Sequence, residues 1–311
     1  MRWYLSRPPS SELPFYCDPS RVGAFAVSMA DLARGSEEAL FKLFVALSMF
    51  QAQRDVVVMR RQLATPHPTV RSVASLQFIR QAVSRHPCEA LSSPDTFASK
   101  CDVKKSAGEV LCESLPHLSC HVKDATAAFK RTGDMGKLPT SAFLRLSSWG
   151  GFRSLLAATR GAVDSPSERA TLLVEHLSQV HRVGEKLATM FVSLLSTPKL
   201  SPGPVPWFPE VDGNEMVVVD TNVARAVDHL RGGQGARTYE AREAWLRAAS
   251  RDLDLSEIQS DLPRYSPRLV QEAIYAFTSR SNRIAAHDPC TARLASCPDC
   301  AAPICPFVQR T

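Results

Sequence analysis

Four cysteines crowd the last 22 residues: Cys290, Cys297, Cys300 and Cys305, spaced C-x6-C-x2-C-x4-C, with Pro306 directly after the last. Thiols gathered this densely point to a metal ion or an iron–sulfur cluster. Two readings compete. Four thiolates suit a tetrahedral zinc, but structural zinc sites usually draw on two CxxC-like knuckles, and only Cys297 and Cys300 form such a pair. A cuboidal four-iron cluster is wider and accepts ligands strung along one loop. The spacing leans slightly to iron–sulfur. Four unligated thiols in a reduced tail are the plainer alternative, and the density of cysteines weighs against it.

Two upstream stretches hold groups of complementary chemistry. Val180–Ala188 reads V-H-R-V-G-E-K-L-A and ends a turn with Lys186; Val217–Arg225 reads V-V-V-D-T-N-V-A-R and sets Asp220 between an apolar run and a helix. Taken singly, Lys186 reads as a solvated helix charge, Asp220 as an N-cap, and Val183-Gly184 as a helix–helix turn.

The elements that must position these groups read as helices. Ser36-Glu37-Glu38 starts one, with acidic residues in its first turn and Leu40, Leu43, Phe44 and Leu47 at helical spacing. The pattern predicts further helices near Val70–Ser84, Thr96–Glu113, Asp124–Arg131, Thr140–Leu146, Gly151–Arg160, Ser167–Leu177 and Glu185–Leu195, then Asn222–Leu230, Tyr239–Ser250 and Ser266–Thr278. Only Met216–Val219 reads as extended. Between Ser196 and Glu215 five prolines break the pattern and mark a linker. The predicted architecture is nearly all-α, with one helical unit before the Pro-rich stretch and one after.

Bulk properties bound the rest. The chain has 311 residues, 44% hydrophobic and 22% charged, with a net charge of +6 and more arginine than lysine. That length suggests two domains with real cores, and the charge suits an anionic partner. No run of 18 apolar residues exists, so no membrane span is predicted, and the N-terminus lacks the apolar core of a secretory signal. The other five cysteines, Cys17, Cys88, Cys101, Cys112 and Cys120, look scattered rather than like a disulfide framework, which predicts a reducing cytoplasm.

In this order the three motifs resemble the helix-hairpin-helix DNA glycosylases of the endonuclease III type, the branch with a C-terminal [4Fe-4S] cluster. Family members carry C-x6-C-x2-C-x5-C, one residue longer in the last gap. Their hairpin reads L-P-G-V-G-x-K-T-A, so His181 and Arg182 stand where the family has proline and glycine. Their aspartate lies in V-D-T-H, matched by Val219 to Asn222 with Asn222 for the histidine. Their early L-S-x-Q-x-T-x-D is matched loosely by Leu47 to Asp55.

The resemblance implies a two-domain fold. A helical barrel domain covers 36–197 and ends in the hairpin; a cluster domain combines 1–35 with 214–311; and 198–213 is a Pro-rich insertion. It implies Lys186 and Asp220 as catalytic residues, and Cys290, Cys297, Cys300 and Cys305 as ligands of a [4Fe-4S] cluster, with zinc the lesser alternative. Arg182, Val183, Gly184 and Arg293 would contact DNA, and Gln51 and Gln53 are candidates for the wedge that fills the gap of a flipped base. Arg182, in place of glycine, would strain a turn that needs positive φ. Within the insertion, Trp207-Phe208 is a candidate base-stacking pair. The partner is double-stranded DNA, the protein a monomer in a bacterial or archaeal cytoplasm. Lys186 implies a bifunctional enzyme that also nicks the abasic product. A monofunctional glycosylase for the modified bases of phage DNA and a non-catalytic iron–sulfur DNA-binding protein are the alternatives.

Overall fold

The computed structural model describes residues 1, 4, 13–51, 53–85, 88–106, 109–117, 120–129 and 135–279. The cysteine quartet and Arg293 lie outside these residues. The described chain is mostly helical, with one two-stranded sheet. No described helix is long and apolar enough to cross a membrane.

At the centre lies α3 (Glu37–Ser48), after the short α1 (Pro19–Val22) and α2 (Met29–Ala33). Its Leu40, Phe41, Leu43, Phe44 and Val45 are each at most 1% exposed, so it is buried on every side. The Ser36 hydroxyl caps its start. Glu37 also reaches across the fold: its carboxylate accepts from the backbone N–H groups of Phe152 and Arg153 at 2.8 Å each. Gly151 (φ +93°) makes this possible, because a Cβ there would stand 2.9 Å from the Glu37 carboxylate.

The predicted helix over Val70–Ser84 is two helices, α5 (His67–Ala74) and α6 (Leu76–Ser84), following α4 (Asp55–Ala64). The break falls at Ser75, which leaves helical geometry and caps the second helix by accepting from Phe78 N. The predicted helix over Thr96–Glu113 is also corrected. Only α7 (Pro94–Lys100) is helical; the chain then forms an antiparallel hairpin of β1 (Lys104–Ser106) and β2 (Glu109–Leu111), with Lys104 opposite Leu111. Then follow α8 (His121–Ala128), α9 (Lys137–Trp149), α10 (Phe152–Ala162), α11 (Pro166–Leu177) and α12 (Glu185–Ser196). Buried Leu187, Ala188, Phe191, Val192 and Leu195 make α12 the second core helix, and Phe191 meets Phe44 of α3 edge-on at 5.0 Å.

The Pro-rich stretch packs closely on this core. Trp207 is 3% exposed, lies against Phe152 and Phe191, and donates its backbone N–H to Leu195 O. The base-stacking expectation fails for Trp207, whose ring is spent in the core; Phe208 stays exposed. Met216–Val219 has extended character but pairs with no strand. After it come α13 (Thr221–Leu230), α14 (Tyr239–Arg251) and α15 (Pro267–Thr278). Val217, Val219, Val223, Val227 and Leu246 form a separate small core there, and Leu255, Leu262, Leu269 and Val270 another with Leu200. Residues Tyr16 to Phe25, expected beside these later helices, send their apolar side chains into the first core.

Candidate active site

The hairpin forms as the V-H-R-V-G-E-K segment suggests. α11 ends at Leu177, Val180 and Val183 are buried beneath the turn, and α12 starts at Glu185 with Gly184 as its N-cap. Arg182 sits in the left-handed region at φ +64°, one of two described non-glycine residues with positive φ. A side chain there costs energy that glycine would avoid, so the strain expected from this replacement is present. His181 N donates to the Ser141 hydroxyl at 2.9 Å and fixes the turn to α9. Gly184 has ordinary φ, and nothing lies within 4 Å of where its Cβ would be. The start of α12 thus faces open space, and its first N–H groups form an electropositive end.

Gln51 follows α3 and donates through Nε2 to Arg182 O at 2.9 Å and Ser48 O at 2.7 Å. The glutamine segment and the hairpin turn are therefore neighbours across 131 residues. Gln53 is half-buried two positions on.

Asp220 caps α13, its Oδ1 accepting from Val223 N at 2.7 Å. Val217–Val219 is buried before it, and Tyr239 Oη fixes that run by donating to Val217 O at 3.2 Å. Lys186 lies in the first turn of α12, half-buried. These two groups meet in the surroundings of a third. Burial, aided by the charges of Asp220 and Glu272 and opposed by Lys186, pushes the Asp55 carboxyl up to about 6. Lys186 in the first turn of α12, Asp220 at the cap of α13 and Glu272 in the middle of α15 thus lie within electrostatic reach of Asp55 at the start of α4.

A buried arginine holds this centre together. Arg268, 6% exposed, donates through Nε to Ser193 Oγ of α12 at 2.9 Å, and through Nη1 to Gln271 Oε1 at 2.6 Å and Glu272 Oε2 at 3.0 Å. Gln271 Oε1 in turn accepts from Val218 N at 3.4 Å. Arg268 joins the helix bearing Glu272 to the helix bearing Lys186, and Gln271 extends the link to the run leading to Asp220.

Sequence reasoning singled out Lys186, Asp220, Gln51 and Arg182 but passed over Asp55, Glu272 and Arg268. Asp55 carried a signal, because it closes the Leu47–Asp55 stretch. Glu272 and Arg268 carried none, reading as an ordinary i,i+4 helix pair. Known proteins supply no further guide: no family model, curated protein or solved structure matches the chain.

Proposed function

We propose that the chain is a helix-hairpin-helix DNA glycosylase, with Lys186 as nucleophile and Asp220 as its catalytic partner. The observation that carries the reading is that Lys186 and Asp220, 34 positions apart in the sequence, both stand within electrostatic reach of the Asp55 carboxyl.

The arrangement suits base release. The neutral Lys186 amine gives its electron pair to C1′ of a flipped nucleotide, and the N–H proton it sheds once bonded passes through Asp220 to the departing base. The C1′–N bond breaks and its electron pair leaves with the base, which takes up a proton. Positive charge grows on the sugar as the bond lengthens, and ionised Asp220 stabilises it. Ring opening gives a Schiff base, and loss of the neighbouring C2′ proton drives β-elimination of the 3′ phosphate. Asp55, held near 6, is placed to exchange protons at working pH. The open N-terminus of α12 and Arg182 take a DNA phosphate. Gln51, bonded to that same turn, enters the stack where the base has left, with Gln53 beside it. Cys290, Cys297, Cys300 and Cys305 remain the proposed [4Fe-4S] ligands; they lie outside the described residues, and no step runs through them.

The test is base release over a panel of lesion-bearing and modified duplexes, with borohydride trapping. A trapped protein–DNA adduct is expected in the native protein and absent in Lys186→Ala. Asp220→Asn is expected to abolish base release and leave DNA binding intact. Base release without an adduct replaces the bifunctional reading with a monofunctional one. DNA binding with no base release from any duplex sinks the enzyme and leaves a non-catalytic binder.

A further inference from the structure

Far from that centre, the fold gathers four of the five cysteines that look scattered in the sequence. Cys88, Cys101, Cys112 and Cys120 all line one cavity of about 30 Å³. Each stands where the chain changes direction. Cys88 precedes the turn Glu89–Leu91, Cys101 ends α7, Cys112 follows β2, and Cys120 precedes α8 with no capping bond from its side chain. The hairpin brings Cys101 and Cys112 to the same open end, because Lys104 pairs with Leu111. Cys101 is in electrostatic contact with both Cys120 and Cys88.

Burial pushes the Cys101 thiol up to about 11 and, with a bond to the Asp102 carboxylate, raises the Cys112 thiol as well, against backbone donors from Val103 and Leu115 that act the other way. A bound cation would supply the charge that draws off these protons, because the thiolate is the metal ligand. Lys137 lies beside Cys101 and Lys123 beside Cys112. Lys137 is anchored on Cys101 O at 2.6 Å, and Lys123 on Leu115 O and Pro116 O at 2.8 and 2.9 Å. Four thiolates around one divalent ion make a dianion, and two lysines balance it.

The hairpin has a use for such a staple. Its strands are three residues each, too short for independent stability. Its apolar content is poorly used, with Leu111 41% and Leu115 38% exposed. Small units with little core commonly add a metal.

We propose that Cys88, Cys101, Cys112 and Cys120 form a structural zinc site that fastens the β1–β2 hairpin to α7 and α8. The cavity is sized for one ion, since holding even a water needs about 10–15 Å³, and a cuboidal iron–sulfur cluster does not fit. An all-sulfur tetrahedral set selects zinc. Among the described residues no three His, Cys, Asp or Glu side chains stand in ligand geometry. Coordination at about 2.3 Å then requires the four thiols to turn inward.

The site is independent of the proposed base-releasing centre, and so is its test. The full chain, purified from zinc-supplemented medium, is analysed for metals. One zinc per chain is expected, and Cys101→Ser/Cys112→Ser should lose it while iron stays unchanged. Peptide-resolved alkylation of the native chain covers the case in which that variant does not fold. Cys88, Cys101, Cys112 and Cys120 should resist alkylation together and become reactive together when zinc is chelated. Absence of zinc, full zinc in the double variant, no change on chelation, or disulfide-linked peptides among these four would each overturn the proposal.

Discussion

Asp55 is a carboxyl group whose acidity departs well from what its type and position predict. At the first position of a helix a carboxylate is ordinarily favoured, yet burial and two neighbouring carboxylates raise it from 3.8 to about 6. The sign of the stability effect follows. Below pH 3.8 the group is protonated in both folded and unfolded chains and costs nothing. Between 3.8 and about 6 the unfolded chain ionises first, so stability falls; above 6 the whole penalty is present. Two units would correspond to about 3 kcal/mol, and contact with solvent screens part of this. Asp55→Asn is therefore expected to raise stability at pH 7 by about 1–2 kcal/mol, with the gain gone near pH 3.8, as urea unfolding at both pH values would record. Base release should simultaneously lose an inflection near pH 6. Equal stability of the two proteins at pH 7 would rule the group out as a buried charge. Asp220 joins two roles in one side chain, and Asn separates them: it keeps a good cap while removing the charge.

The hairpin shows how an element can spend stability on contact. Arg182 holds the left-handed turn that glycine would hold freely, at a cost of about 1 kcal/mol or somewhat more. Arg182→Gly is expected to raise stability by about 1 kcal/mol and at the same time weaken DNA binding. It should also flatten the slope of log K against log salt by about 0.9, the signature of one lost phosphate contact. An unchanged salt slope would mean that Arg182 faces no phosphate. The Pro-rich segment makes the opposite use of its residues. Its prolines read as a linker, but Trp207 turns into the core against Phe152 and Phe191, so the segment is part of the scaffold behind α12.

Over the whole molecule, Asp55, Lys186, Asp220 and Glu272 come from four different elements, and Arg268 is the bolt between two of these, α15 and α12. Removing one partner of a buried ion pair typically costs about 3–5 kcal/mol, because the other is left uncompensated. Arg268→Ala is expected to lower stability by that order in urea unfolding, with α15 and α12 gaining hydrogen exchange together. Exchange confined to α15 would show that the bolt does not reach α12.

Much of this was readable from residue order alone, wherever the cause is local. Ser36 with Glu37 and Glu38, Ser165 before Pro166, and the apolar spacing of α12 announce their helices because capping and a 3.6-residue period act within a few residues. The apolar run before Asp220 and the helix after it announced that residue as an N-cap in the same way. Three features escaped. The β1–β2 hairpin, whose Lys104-Lys105-Ser106 shows no apolar alternation, was hidden inside a predicted helix. Asp55 gains its altered acidity only from charges brought up by α12, α13 and α15. Four cysteines spread over 33 positions meet only because a hairpin and two helix ends bring them to one cavity. Each depends on partners distant along the chain, and tertiary packing chooses those partners by which surfaces bury together, a choice that no short window of residues contains.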